Sequence, residues 1–397
     1  MSAPHPPNLL AEALLDPSLY QSDPAPLYRE LRNNAPVAWV ASKGFWAITS
    51  HALVSEISVD PERFCSGKGI LVDEIGVTYD APPTMMHTDP PAHTRYRRLV
   101  QPSFKPTSVR SLDGDIRAMA TTLIDALPTT TPVDIVAALS VPYPLQVICS
   151  LLGTDTDQWP TFFRWSEAAI PGVGEMTDEE RGASQLEMWE YLIGLATARR
   201  NEPHEDVVSQ LATGAIDGDL LSEAELAMFL IQLLVAGNET SRNLLSAGLV
   251  ALAEHPEQWA MLRADPSLIP QAVEELLRWT APVISFLRTA TIDTELGGVA
   301  IDAGDPVLMV YAAANRDETV FGPTAELFDI TRDPNPQISF GFGTHFCLGA
   351  PLARLEAKIV LEELIRRFET IEIAGPLERS PSSIIAGVTR APMILNP

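Results

Sequence analysis

The stretch Phe340-Gly341-Phe342-Gly343-Thr344-His345-Phe346-Cys347-Leu348-Gly349 decides how the rest of this chain is read. Three glycines and one cysteine are spaced tightly, immediately before the amphipathic run Ala350 to Phe368. Glycine permits positive φ and close backbone approach, so a glycine-rich loop feeding a helix reads as a cradle. Cys347 stands where that helix is expected to begin, and amide N–H groups and the helix dipole stabilise a thiolate there. A structural cysteine beside a glycine turn would explain a Gly-x-Gly fragment, but not the whole ten-residue pattern.

A lone thiolate presented by one loop suits a single axial bond to a haem iron, since zinc sites draw on several ligands. The pattern resembles the haem-binding signature of the cytochrome P-450 monooxygenases, with every characteristic position filled. The resemblance covers essentially the whole chain. It implies a mainly α fold with a small β region, the cytochrome P-450 fold, in one domain over residues 1–397. It also implies haem b (iron protoporphyrin IX) with Cys347 as its axial thiolate, and Phe340, His345 and Gly349 of the same loop against the haem.

Composition narrows the class. A chain of 397 residues with 46% apolar content can bury a large core, and no linker, repeat or low-complexity tract divides it. The net charge of -25 argues against a nucleic-acid binder, because phosphate backbones recruit basic surfaces. It fits a self-repelling cytoplasmic protein, and a monomer is expected. Met1 to Leu10 lack a cationic start followed by an apolar stretch, so no signal peptide or membrane anchor is expected. The longest apolar run, Ala227 to Gly237, is interrupted by Gln232 and too short to span a bilayer. Cys65, Cys149 and Cys347 are too scattered for a disulfide framework, and the first two read as structural.

From the N-terminus, Pro26 to Asn34 predicts a helix, and Val37 to Val40 with Phe45 to Thr49 predicts a hairpin. Ser66 to Met86 has no clear period, and long loops of this kind are often lids or binding loops. In the resembling family this loop contacts substrate, which implicates Ile70, Leu71, Met85 and Met86. In the stretch Asp89 to Val100, His93 and Arg97 stand four apart on one helical face, able to grip one carboxylate. The family's equivalent pair binds a haem propionate. Arg95, Arg97, Arg98, Lys105 and Arg110 lie between Pro90 and Leu112 with no acid among them, a patch suited to an acidic partner. Residues 113–213 are mostly helical by pattern, and Ile170 and Val173 near the loop at Ala168 to Met176 are further candidates for substrate contact.

Ser222 to Glu254 is the longest periodic segment and opens with the capping pattern Ser222-x-x-Glu225. In its apolar middle stands Ala236-Gly237-Asn238-Glu239-Thr240-Ser241, poor helix material in a core. A helix kink with a satisfied polar cluster is one reading. Beside the cysteine loop, the stretch resembles the family's oxygen-activation motif, which makes Thr240 and Glu239 catalytic. It also turns Gln232, Val235 and Ala236 toward the haem pocket.

Glu275 and Arg278 share one helical face and resemble the family's structural Glu-x-x-Arg pair; Glu363-Leu364-Ile365-Arg366 repeats the spacing but lies after the cysteine loop. Arg332 is a candidate to complete that network. Val283 to Thr291 predicts a strand, with Arg288 resembling a second propionate ligand and Ile284 and Leu287 flanking it at the pocket. Ser383 to Pro392 predicts a hairpin whose tip brings Val388 to substrate. No flavin or iron–sulfur domain follows, so the electron donor is expected to be a separate ferredoxin fed by NAD(P)H and its reductase. The resulting expectation is a monooxygenase placing one atom of O2 in a lipophilic small molecule. A peroxide-driven peroxygenase and a non-catalytic haem sensor or electron carrier are its rivals.

Overall fold

The structure, a computed structural model, describes residues 7–78, 82–170, 176–216 and 218–397. Its organising element is the helix Glu223–Glu254. The Ser222 hydroxyl accepts from the Glu225 N–H while the Glu225 carboxylate accepts from the Ser222 N–H, the reciprocal cap that starts a helix. At 32 residues the helix runs about 48 Å, long enough to cross the molecule. Leu230, Leu234, Leu244, Leu249 and Leu252 bury different faces of it in one large core. Helix Pro142–Leu151 packs closely at Gly237, where an added Cβ would sit 2.4 Å from Ile148 Cδ1. Helices Trp159–Ala169, Asp178–Asn201, Ile269–Thr280 and Ala350–Arg367 also pack on the central helix.

The small β region is a five-stranded sheet in the order Val37–Val40, Phe45–Ile48, Pro306–Val310, Ser285–Ala290, Phe64–Cys65. Pro306–Val310 runs parallel to Phe45–Ile48 and antiparallel to Ser285–Ala290, with Val307 opposite Arg288. Strand alternation then separates neighbours. Leu287 turns into a core with Phe45 and Leu308, while Phe286 and Arg288 border the site described below.

The C-terminal hairpin differs from the expectation. Val388–Arg390 pairs with Glu378–Arg379, so the arms lie further apart in sequence than Ser383 to Pro392. The strand Pro392–Asn396 instead forms the centre of a three-stranded sheet, between Thr370–Ile373 and Val133–Asp134. Among the described residues no helix is long and apolar enough to cross a membrane.

A wholly buried carboxylate ties the helices to the cysteine loop. Glu275 accepts two hydrogen bonds from Arg278, both 2.7 Å, and one each from Arg332, Asn335 and the Asp329 N–H. Arg278 also donates to the carbonyls of Asn315, Ala325 and Leu327. The third charged partner is therefore Arg332. Arg278→Ala would leave the acid buried without its main counter-charge and should cost about 3–5 kcal/mol in denaturant unfolding. A cost below about 1 kcal/mol would mean that the remaining donors suffice.

Candidate active site

The cysteine loop is built by its glycines. Gly341 and Gly343 adopt φ of 69° and 66°. At Gly343 a Cβ would also lie 2.3 Å from the Ser58 carbonyl oxygen, so the loop seats on the helix His51–Val59 only through a residue without a side chain. The Cys347 N–H closes the turn by donating to the Phe340 carbonyl at 2.8 Å. The following helix starts at Ala350 with Gly349 as its cap, three residues beyond Cys347 and not at it. Burial pushes the Cys347 thiol up, while the Gly349 and Ala350 amides and the Arg97 guanidinium pull it back down.

Cys347 opens into a cavity of about 220 Å³. Phe340, Phe346, Leu348 and Gly349 form the wall around it. The facing wall is a stripe of the central helix: Gln232, Leu233, Ala236, Gly237, Thr240, Ser241 and Leu244. Those spacings of three and four trace one helical face. Val235 falls off that stripe and does not border the cavity. Ile70, Met85 and Met86 come from the aperiodic loop, which Glu74 stitches together. Its carboxylate accepts from the Ile70 and Leu71 amides and meets His87 Nε2 at 3.0 Å.

One rim gathers His93, Arg97, Arg288 and His345. The two imidazoles stack with centroids 4.2 Å apart, and His345 Nε2 lies 3.1 Å from Ser66 Oγ. Burial and the adjacent arginines push His93 down to about 4 and His345 down to about 2, so both are uncharged at neutral pH. Burial likewise lowers Arg97 and Arg288. The acid that acts on this cluster, Asp89, is taken up by the Ser66 and Gly67 amides. One buried and one half-buried guanidinium and two imidazoles beside a thiol in a largely apolar cavity fit a flat macrocycle carrying two carboxylates.

Thr240 Oγ1 donates to the Ala236 carbonyl at 2.7 Å, so its lone pairs are left for the cavity. Glu239 points the other way. It is buried behind the stripe, 2.5 Å from Arg242, and Asn238 beside it bonds Ser166 at 3.0 Å. Burial and Glu167 raise the Glu239 carboxyl, while Arg242 lowers it.

Several expected pocket residues lie elsewhere. Leu71 and Ile284 line a separate small void of about 10 Å³ that touches the first cavity at Ile70. Leu287 faces away by strand alternation, and Val388 is fully buried in the main core. Ile170 is buried and borders neither cavity, and Val173 lies outside the described residues. Val283 and Phe286 occupy the wall where Ile284 and Leu287 were expected. Glu356, a residue the sequence reading passed over, also borders the cavity. It interrupts the otherwise apolar stripe Leu352, Ile359, Val360 of the last long helix, and that interruption was a usable signal.

The steroid C26-monooxygenase of Mycobacterium tuberculosis is 36% identical over 392 residues, covering 97% of each protein. The chain belongs to the cytochrome P-450 family. The family model "Cytochrome P-450" matches residues 195–378, and linalool 8-monooxygenase of Pseudomonas putida is 35% identical over 97% of this chain and 98% of its own length. Among solved P-450 structures, Mycobacterium marinum CYP268A2 in complex with pseudoionone superposes with a TM-score of 0.91 at 31% identity, covering 99% of this chain and 100% of that one. This P-450 is thus a monooxygenase of mainly helical fold, and the cofactor of its family is haem b on an axial cysteine.

Burial pushes the Glu356 carboxyl up to about 8 from its ordinary 4.5, opposed by the Ser241 hydroxyl, and its Oε2 has no partner. Between those values the folded chain holds a proton that the unfolded chain has released, so stability falls as pH rises. Glu356→Gln should therefore stabilise the protein more at pH near 8 than near 5, read as the difference in urea midpoint from the parent. An equal difference at both pH values would show that Glu356 does not titrate in this range.

Proposed function

We propose that this P-450 hydroxylates or epoxidises a lipophilic small molecule with O2, using NAD(P)H electrons passed by a reductase and a ferredoxin in the cytoplasm. One observation carries the reading: the Cys347 sulfur and the Thr240 hydroxyl border the same cavity, whose remaining lining is mostly apolar. The printed names of the relatives point the same way, since a steroid, linalool and pseudoionone are all lipophilic.

Cys347 would hold haem b through its thiolate, and the bound group would supply the oxygen-cleaving chemistry, which thiolate electron density favours. The chain's residues do the rest. Arg97 and Arg288 would provide positive charge for two propionates, and His93 and His345 would add hydrogen bonds. Ala236 and Gly349 would leave room for the macrocycle, and Phe340 lines the cavity with Cys347. Thr240 turns an accepting oxygen to the reaction space and releases its proton only by letting go of the Ala236 carbonyl. Glu239, Arg242 and Asn238 form a buried proton store behind it, with Ser166 and Glu167 leading toward the surface. Ile70, Met85, Met86 and Gln232 border the substrate side.

The electron donor is assigned to the helix Ala92–Val100 and the segment after it. Arg98, on the helix that carries His93 and Arg97, is exposed there, as are Lys105 and Arg110 in the segment that follows. In a chain of net charge -25 a local basic face selects an acidic partner.

Thr240→Ala should keep consuming NAD(P)H while product per NAD(P)H falls several-fold and hydrogen peroxide rises, because proton delivery loses its order. Unchanged coupling with intact haem content would remove Thr240 from the reaction. Reversing charge in Arg98→Glu/Lys105→Glu should slow reduction by ferredoxin about tenfold at low ionic strength and much less at high salt, with substrate affinity unchanged. Identical salt dependence in variant and parent would place the docking face elsewhere.

A further inference from the structure

We infer that Gln232 is the specificity-determining donor of the substrate space, selecting molecules with a hydrogen-bond acceptor at the end of the cavity away from Thr240, about 12 Å along the helix axis. The acceptor is a ketone, hydroxyl or ether oxygen. The inference rests on the monooxygenase reading above and adds to it the polar feature of an otherwise lipophilic substrate.

Gln232 begins the cavity-facing stripe of the central helix, eight residues before Thr240. At 1.5 Å per residue that spacing is about 12 Å along the helix axis. The orientation of its amide is determined by one contact. The Met85 N–H donates to Gln232 Oε1 at 3.0 Å, and an N–H can only donate. Oε1 is thus the end turned to the loop, and Nε2, with two N–H groups, is the other. Among the described residues no protein group accepts from Nε2.

The neighbourhood explains why this matters. Met85 and Leu233 lie beside Gln232, and Met86, Val283 and Phe286 add to a largely apolar lining of the same cavity. Water can serve the Nε2 donors while the cavity is wet. A lipophilic ligand that displaces this water must replace its hydrogen bonds or leave the donors unsatisfied. A site built around such a donor therefore discriminates against the analogue that lacks the acceptor. The same amide also pins Met85 through Oε1, so the group that reads the substrate is held by the loop that closes over it.

The test uses the haem-loaded protein and two probes, a 3-keto steroid and its isosteric 3-methylidene analogue, with Kd read from the ligand-induced shift in haem absorbance. Gln232→Leu and Gln232→Met should each reduce the ketone's affinity relative to the methylidene analogue by about three- to tenfold. Either variant suffices if the other loses its cofactor. Equal weakening of both probes would assign Gln232 to pinning the Met85 loop alone and overturn the inference. So would an unaltered ratio. If neither probe perturbs the haem of the unsubstituted protein, the lipophilic-substrate reading itself falls, which is a different result from a lost preference.

Discussion

The Glu275 carboxylate is the constraint on which the site depends. It has no access to water, so each of its lone pairs must be met by a protein donor. The donors come from its own helix and from the segment Asp329 to Asn335 that leads to the cysteine loop. The neighbouring Glu274 extends the same logic, accepting from Gln337 just before the loop and from Arg354 just after it. Ser339 then donates to the Leu277 carbonyl and receives from Asn315. One helix thereby holds both ends of the loop that carries Cys347. Charge satisfaction, more than contact area, sets the position of the sulfur.

The parts that were legible in the sequence are those written as local chemistry. The cysteine loop shows its glycines, the central helix shows its capping box, and Glu275 and Arg278 show their spacing. Arg332 was also within reach, because a buried acid with one arginine needs further donors. What failed was phase. Leu287 adjoins Arg288, and adjacency on a strand means opposite faces. Ile284 precedes the regular strand, where alternation no longer applies and Val283 takes the cavity side. Val388 depended on a hairpin whose second arm, Glu378–Arg379, has too little strand character to be read locally. Glu356 was missed because one acid in an apolar stripe was read as part of an amphipathic face.

The central helix carries the site's polar groups in two directions. Thr240 and Ser241 face the cavity, and Asn238, Glu239 and Arg242 are buried behind. Each direction ends at an acid raised by burial, Glu239 on one side and Glu356 on the other. A helix that is apolar almost all round thus brings protonatable groups to both flanks of a single hydroxyl pair. Its hydrogen bonds within the backbone stay intact, and Thr240 takes part in them through Ala236. The polar cluster is accommodated without breaking the helix.

The rim of two guanidiniums and two imidazoles has a consequence for how the protein is assembled. Bringing Arg97 and Arg288 against His93 and His345 is work done against desolvation. On the proposed reading a dianionic guest would repay it, and capture of the prosthetic group and completion of the native state would be one linked equilibrium. Substitutions far from the cavity that weaken the fold will then first be seen as pale protein. The depth of colour in a preparation becomes a gauge of conformational integrity as much as of cofactor supply.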